Sequence, residues 1–239
     1  MQRVKTFATA AIAACLILLA QVNHSAGYFF GAVKPGLEFV QEGTKTSFFL
    51  YVPKAYTQER KWPLVVGLAE FGTSTKSYIE SWMEEAERRG YILLCPNWHK
   101  SRDVPDAGDR WLFRLIRKVS EQYAVDRRKI LLTGIADGGD YASYLGLRYP
   151  KFFSAVASVG GFLTESHENL IYYQRVKRYP IPFFVLNGKE ARPEIREDVE
   201  KMRRYVGDLE YIEVEGLNRD TGMNVNSAIL DWFEAKQTV

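Results

Sequence analysis

One segment of the sequence combines the residue types that place a reactive side chain at the end of a buried strand. A strand-like segment at 129–133 (KILLT) leads into a turn at 134–138 (GIADG), and an amphipathic segment follows. The two glycines permit a sharp turn, and the helix behind it offers N–H groups to a developing oxyanion. The pattern is typical of a nucleophile elbow, G-x-S-x-G, but Ala136 stands at the nucleophile position.

The elements that must position this turn alternate regularly along the chain. Continuous apolar runs indicate strands buried on both faces, and apolar residues at helical spacing indicate amphipathic helices. We expect strands at 45–52, 64–69, 91–95, 129–133, 155–159, 183–186 and 211–214, and helices at 76–89, 109–123, 139–148, 193–206 and 221–235. This alternation predicts an α/β protein with a mainly parallel sheet and helices on both faces. The one polar insertion, 164–179, could lie over the top of the sheet.

Several motifs in the right order give the chain a resemblance to a known family. The segments 128–139 (RKILLTGIADGG) and 147–161 (LRYPKFFSAVASVGG) resemble the elbow, helix and next strand of the α/β-hydrolases. Within that superfamily they resemble the secreted esterases related to feruloyl esterases, polyhydroxybutyrate depolymerases and the phospholipase/carboxylesterase group. The segment 63–68 (PLVVGL) resembles the strand before the oxyanion loop. The resemblance covers roughly Thr46 to the C-terminus and implies the α/β-hydrolase fold and an ancestry in ester hydrolysis.

The catalytic positions that the resemblance implies are all substituted. Glu190 is adjacent to the acid position, but its side chain would start one residue early, and no histidine follows His167. An alanine cannot attack an ester, and an arginine stays protonated and cannot act as a base. The degenerate triad positions are Ala136 for the nucleophile, Ala191 for the acid, and Asn218 or Arg219 for the histidine.

The loop after the strand at 64–69 also departs from the family pattern. The family has His-Gly at this point, whereas this chain has Ala69-Glu70 and then Phe71-Gly72. A carboxylate about 5 Å from a forming oxyanion, at an effective dielectric constant of about 20, opposes that charge by roughly 3 kcal/mol. Glu70 is therefore expected to hinder acyl transfer.

Three functions remain open from the sequence. The first is a catalytically inactive, esterase-like homologue that acts as a binding or interaction module. The second is an active esterase with relocated catalytic residues, with His99 or His167 as base and a serine outside the elbow as nucleophile. The third is a structural protein of the cell envelope. The serines available by residue type are Ser74, Ser158 and Ser166.

A crevice above the carboxyl ends of the strands is the expected place for a ligand. Ordinary packing explains its aromatic residues equally well, and Asp137 and Asp140 are also favourable carboxylates at a helix N-terminus. We expect a small-molecule, glycan or ester ligand there, without a cofactor or metal. The candidate binding residues are Glu70, Phe71, Trp98, His99, Asp137, Phe162, Asn187 and Asn218.

The first 26 residues read as an export signal. Arg3 and Lys5 precede an uncharged apolar run of 14 residues at 7–20, which is too short for a standard membrane span. We therefore expect an extracytoplasmic protein, periplasmic or secreted, with one domain at 27–239. The alternative is a lipoprotein signal with Cys15 acylated, which would be the chain's only attachment to a membrane.

The charge composition argues against nucleic acid and anionic membranes as partners. The chain has 32 Lys and Arg against 29 Asp and Glu, a net charge of +3. The basic sets Arg114, Arg117, Lys118 and Lys201, Arg203, Arg204 are interpreted as solvated helix faces. Cys95 lies in a buried-strand pattern, which favours an inert core thiol.

Overall fold

The computed structural model describes residues 33–42, 46–98, 105–162, 170–189, 194–217 and 225–237. The proposed signal segment, 1–26, lies outside the described residues, and residues 34–239 cluster into one compact unit. The strands are β1 (Gly36–Glu42), β2 (Thr46–Val52), β3 (Trp62–Leu68), β4 (Ile92–Pro96), β5 (Val125–Ile135), β6 (Ala155–Val159), β7 (Phe183–Gly188) and β8 (Leu209–Val214). The helices are α1 (Thr75–Arg89), α2 (Pro105–Gln122), α3 (Asp137–Arg148), α4 (Leu170–Arg178), α5 (Glu194–Met202) and α6 (Asn226–Lys236).

These strands form a single sheet in the order β1-β2-β4-β3-β5-β6-β7-β8. Strand β2 pairs antiparallel with β1 and β4, and every pair from β4 to β8 is parallel. The predicted α/β class with a mainly parallel sheet is therefore confirmed.

None of the helices in the described ranges is both long and apolar enough to cross a membrane.

The central strands are buried on both faces, as their continuous apolar runs predict. Consecutive side chains of β3, Leu64, Val65 and Val66, are each at most 1% exposed although they point to alternate faces. Helices α1 and α6 pack against one face and share its core. Helices α3 and α4 pack against each other, and α3 also contacts β5 and β6. The β5–α3 turn thus lies at the end of a central strand of the sheet, directly before a helix that packs on β5 and β6.

Two elements were not expected from the sequence. The edge strand β1 pairs with β2 from Gly36↔Val52 to Glu42↔Thr46, and its Phe39 remains 53% exposed. Helix α4 lies inside the polar insertion, and among its described side chains Tyr173 and Val176 are buried. Neither element has the continuous apolar run that marks the central strands.

The remaining differences concern element ends. Strand β5 extends from Val125 to Ile135, beyond the predicted 129–133, and α2 begins four residues before the predicted start. Helix α5 ends at Met202 and not at 206, because a backbone turn follows in which the N–H of Tyr205 donates to the Met202 carbonyl. Terminal turns depend on such local hydrogen bonds more than on the apolar pattern.

Candidate functional site

The β5–α3 turn keeps the backbone geometry of a nucleophile elbow. Ala136 has φ 51° and ψ −123°, and no other residue except glycine has a positive φ in the part of the chain that the structure describes. Its N–H donates to the Val159 carbonyl at 2.8 Å, and its carbonyl accepts from the N–H of Asp140 at 3.0 Å. Such a conformation costs about 1–3 kcal/mol and persists only where the surroundings enforce it. The turn presents a methyl group where an esterase needs a nucleophile.

Close packing of three backbone segments enforces this turn. A Cβ on Gly138 would lie 2.1 Å from the carbonyl oxygen of Leu68, at the end of β3. A Cβ on Gly161, just after β6, would lie 1.9 Å from the carbonyl oxygen of Ala136. Glycine at both positions allows the end of β3 and the loop after β6 to approach the elbow. The elbow is therefore fixed by the sheet around it.

Two aspartates occupy the first turn of α3, as the sequence predicts. Asp137 is half-buried, whereas Asp140 is 5% exposed and accepts a hydrogen bond from the N–H of Phe162 at 2.6 Å. Both carboxylates lie at the positive end of the helix dipole. The Phe162 ring is fully buried, so its side chain packs in the core beneath the elbow.

The turn after β3 places Glu70 and Phe71 beside the elbow. The Glu70 carbonyl accepts from the Thr73 hydroxyl at 2.7 Å and from the Thr73 N–H at 3.1 Å. Glu70 is half-buried, and Phe71 is 55% exposed. This turn leads directly into α1, whose first N–H groups are capped by the Ser74 hydroxyl. An acidic and an aromatic side chain thus occupy the segment that corresponds to the oxyanion loop.

Trp98 connects this turn to helix α3. Its indole N–H donates to the Ala69 carbonyl at 2.8 Å, directly after β3. Its ring stacks on Tyr141, with the ring centroids 5.3 Å apart and the planes at 25°. Trp98 is half-buried, so one part of the indole packs inward while another part faces solvent. The side chain supports the loop and lies at the carboxyl edge of the sheet, where a ligand crevice is expected.

Tyr141 is in turn held by a buried carboxylate, Asp109 of α2, which is fully buried. Desolvation raises the pKa of Asp109 above its usual range, although its hydrogen bonds and Arg148 oppose that shift. Burial likewise raises the pKa of the Tyr141 hydroxyl. The donors to Asp109 are the hydroxyls of Tyr141 at 2.7 Å, Tyr144 at 3.2 Å and Tyr149 at 3.1 Å, and Nη1 of Arg148 at 3.1 Å.

Sequence reasoning missed this Asp109 cluster. Tyr141, Tyr144 and Arg148 recur at helical spacing on α3, which places polar groups on a face that packs against α2. A buried face with three polar side chains needs a partner that satisfies them. That spacing was the available signal for a buried acidic residue on a neighbouring helix.

The other candidate residues fall into two groups. Asn187, at the carboxyl end of β7, is 2% exposed, and the buried Ser158 hydroxyl donates to the Gly161 carbonyl. These placements bring the described candidates to the carboxyl edge of the sheet, near the elbow. The predicted residues outside the described ranges are His99, Ser166, His167, Glu190, Ala191, Asn218 and Arg219.

Cys95 is a buried, protonated thiol and not a reactive thiolate. It is 2% exposed within β4, and burial raises the pKa of its thiol well above the usual range. The prediction that Cys95 lies in the core is confirmed. A neutral, buried thiol is a poor nucleophile.

The strand order and the elbow define an esterase-like α/β-hydrolase fold, and solved structures agree with this assignment. FphF, a fluorophosphonate-binding serine hydrolase of Staphylococcus aureus, matches with a TM-score of 0.70 and 11% identity, over 84% of this chain and 99% of that chain. A ferulic acid esterase matches with a TM-score of 0.68 and 16% identity, over 86% of this chain and 100% of that chain.

A thermostable esterase is similar at a TM-score of 0.65 and 20% identity, over 83% of this chain. The match spans only 62% of that esterase's own length. No protein-family model matches the chain, and no curated protein sequence matches it. The structural likeness therefore concerns the fold, and the function must be argued from the site.

Proposed function

We propose that this protein is a catalytically inactive, esterase-like α/β-hydrolase-fold protein that acts as a binding or interaction module. The observation that carries the proposal is Ala136, which has the elbow backbone at φ 51° and ψ −123° but no nucleophilic atom. Acyl transfer needs a hydroxyl or thiol within reach of a base. A methyl group at this position leaves the fold intact and removes that chemistry.

The surroundings of the elbow support the proposal. The Ser158 hydroxyl is buried and bonded to the Gly161 carbonyl, and the Ser74 hydroxyl caps helix α1. These two serines, the described alternatives by residue type, therefore have structural roles. The substitutions at Ala191 and at Asn218 or Arg219 add a sequence-based argument, since they remove the acid and the base of the family pattern.

The proposed ligand is a neutral or cationic group with an aromatic or sugar component. Glu70 and Asp137 give the crevice acidic character, and Phe71 and Trp98 give it apolar area. Aromatic rings with a few polar groups suit reversible binding. Trp98 is the central contact in this proposal, because it borders the crevice and also fixes the loop after β3.

A thermal-shift screen against aromatic esters, acyl glycosides and short glycans tests this function. A ligand should raise the Tm, and Trp98→Ala should weaken its binding by about 1–3 kcal/mol, the usual range for a buried aromatic anchor. Trp98→Phe is the matched control, because a phenyl ring keeps stacking on Tyr141 but loses the bond to the Ala69 carbonyl. The binding function is wrong if no compound stabilises the protein, or if binding is equal in all three forms.

We also propose that the protein is exported, on the basis of Arg3, Lys5 and the apolar run at 7–20. Mass spectrometry of the protein from its own cells should find a mature form starting between about 21 and 27 outside the cytoplasm. A start at Cys15 with added lipid mass would support the lipoprotein alternative. Intact Met1 on a soluble cytoplasmic form would contradict export.

A further inference from the structure

One groove is lined by helix α2, and a second is lined by the end of α3, the loop after it and α4. The first groove, of about 540 Å³, follows α2, and the second, of about 370 Å³, follows the end of α3. The Phe113 ring joins them, because its centroid lies 4.5 Å from Tyr149 and 4.4 Å from Phe152. The α2 groove is lined by Arg110, Phe113, Arg114 and Arg117. The second groove has Arg148, Lys151 and Arg175 among its lining residues.

Six cations therefore line the two grooves, and no carboxylate does so among the described residues. In the described part of the chain, no acidic side chain forms an ion pair with Arg114, Arg117, Lys151 or Arg175. Elsewhere in the protein, Arg88, Arg196 and Arg203 each bind a glutamate within 3.1 Å. The net charge of the chain is only +3, but the cations that line the grooves give this concave face a strong local positive charge.

The positive potential of this face affects the groups within it. The Lys151 ammonium lies 3.8 Å from the centre of the Tyr179 ring, and it holds the pKa of the Tyr179 hydroxyl below its usual range. Nη1 of Arg175 donates to the Arg148 carbonyl at 3.0 Å, which fixes the guanidinium at the groove. A fixed guanidinium is well suited to a planar carboxylate, which it binds through two parallel hydrogen bonds.

We propose that the two grooves bind an acidic polysaccharide, a chain of sugars that carries carboxylates. Arg110, Arg114 and Arg117 follow one another at about one helical turn. That spacing suits successive carboxylates along an extended uronic acid chain. Half-buried Phe152 supplies an apolar wall for the sugar rings. This site is separate from the proposed crevice and does not depend on the function proposed for it.

The ring contacts favour a polysaccharide over a single-stranded nucleic acid. Nucleic acid bases need open aromatic faces on which to stack. Here Lys151 covers a face of Tyr179, and the guanidinium carbon of Arg148 lies 5.2 Å from the centre of the Tyr149 ring. A bilayer surface, which is broad and flat, does not enter grooves of this size.

Fluorescence anisotropy with a labelled oligogalacturonate tests the proposal on the full chain. We expect saturable binding that weakens as salt rises, because salt screens exposed charges, and no binding of neutral maltooligosaccharide. The double variant Arg114→Gln/Arg117→Gln should weaken binding about tenfold, and Lys151→Gln/Arg175→Gln should do the same. The control Arg88→Gln/Arg203→Gln makes the same change in net charge at two exposed, ion-paired arginines.

The proposal is overturned if the oligogalacturonate does not bind, or if the control variant weakens binding as much as the groove variants do. Tighter binding of a labelled oligothymidylate, or of phosphatidylglycerol vesicles, would also overturn it in favour of a nucleic acid or a membrane. Circular dichroism of each variant confirms that a loss of binding is not a loss of fold. Retained binding by the control, together with loss in both groove variants, supports the proposal.

Discussion

Ala136 separates two properties that usually occur together in a hydrolase, the strained elbow and the reactive side chain. Its φ of 51° is unfavourable for a residue with a Cβ, and yet the surrounding sheet imposes it. Glycine would adopt this backbone at lower cost. The geometry is therefore a property of the fold, and it does not by itself indicate catalysis.

The single change Ala136→Ser should give no meaningful esterase activity. The backbone would already hold the serine hydroxyl in the elbow, but the acid and base positions that the family resemblance implies would still be Ala191 and Asn218 or Arg219. An unactivated serine is a weak nucleophile at neutral pH. Hydrolysis of a nitrophenyl ester measures this directly.

The matched variant combines Ala136→Ser with Ala191→Asp and with either Asn218→His or Arg219→His. A trace of activity is expected from it, limited by the Glu70 carboxylate beside the forming oxyanion. Robust turnover by Ala136→Ser alone would mean that the chain already contains a base which the family pattern does not identify.

At the scale of elements, close backbone contacts hold the elbow between β3, β5 and β6. Gly161→Ala would put a Cβ 1.9 Å from the Ala136 carbonyl oxygen, so the loop after β6 must move. We expect a loss of about 2 kcal/mol or more in the free energy of unfolding, as for other overpacked sites. Gly207→Ala is the control, because its Cβ would have no atom within 4 Å.

Urea unfolding of the two alanine variants tests this account of the elbow. The free energy of unfolding of Gly207→Ala should differ from that of the native protein by no more than about 0.5 kcal/mol, which is usual for substitutions at the surface. Equal stability of Gly161→Ala and Gly207→Ala would mean that the close approach of the loop to Ala136 is absent in solution.

Asp109 joins α2 to α3 and should contribute strongly to stability. Asp109→Asn replaces one acceptor oxygen by an NH₂ group that faces the tyrosine and Arg148 donors, and should lower the free energy of unfolding by about 1–3 kcal/mol, because buried donors lose a partner. The direction of its pH dependence follows from the pKa. Burial raises the pKa of Asp109, so the folded state keeps its proton to a higher pH than the unfolded chain does.

The contribution of the Asp109 carboxyl to the free energy of unfolding is therefore largest below the pKa of aspartate in the unfolded chain. It decreases as pH rises through the raised pKa of the folded state. The Asn variant has no such titration. The difference in free energy of unfolding between native protein and variant should narrow as pH rises above the ordinary aspartate pKa of about 4. Urea unfolding across that range is the measurement, and a difference that widens with pH would contradict the assignment.

The sequence predicted those elements that have a strong apolar pattern. Helix α1, with its stop at Gly90, and strand β6 agree with the prediction within one residue. Strand β1 was missed because it is an edge strand with a weak apolar pattern, and even its Phe39 is largely exposed. Its strand conformation depends on pairing with β2. Helix α4 was missed because only two of the side chains described at 171–178 are buried, which gives a weak apolar pattern.

The candidate site was only partly predictable. The elbow at Ala136 follows from local residue types, because glycine spacing and a strand–helix junction are local signals. The contacts of Trp98 with Ala69 and Tyr141 join residues that are distant in sequence. No spacing rule predicts such contacts, because they depend on how the strands order themselves in the sheet.

At the scale of the whole molecule, the fold separates two surfaces of different character. The carboxyl edge of the sheet presents Glu70, Phe71 and Trp98 around an elbow without a nucleophile. The grooves beside α2 present cations without lining carboxylates among the described residues. An overall composition close to neutral conceals this separation, since net charge says nothing about position.

Reaction with a fluorophosphonate probe tests the central claim, the absence of catalysis, most directly. The native chain should carry no covalent adduct at any residue by intact mass and peptide mapping, beside an active esterase that is fully labelled. Such probes need an activated nucleophile, and the side chain of Ala136 is a methyl group. A stoichiometric adduct at any residue of the folded native protein would contradict the account and establish an active hydrolase with relocated catalytic residues.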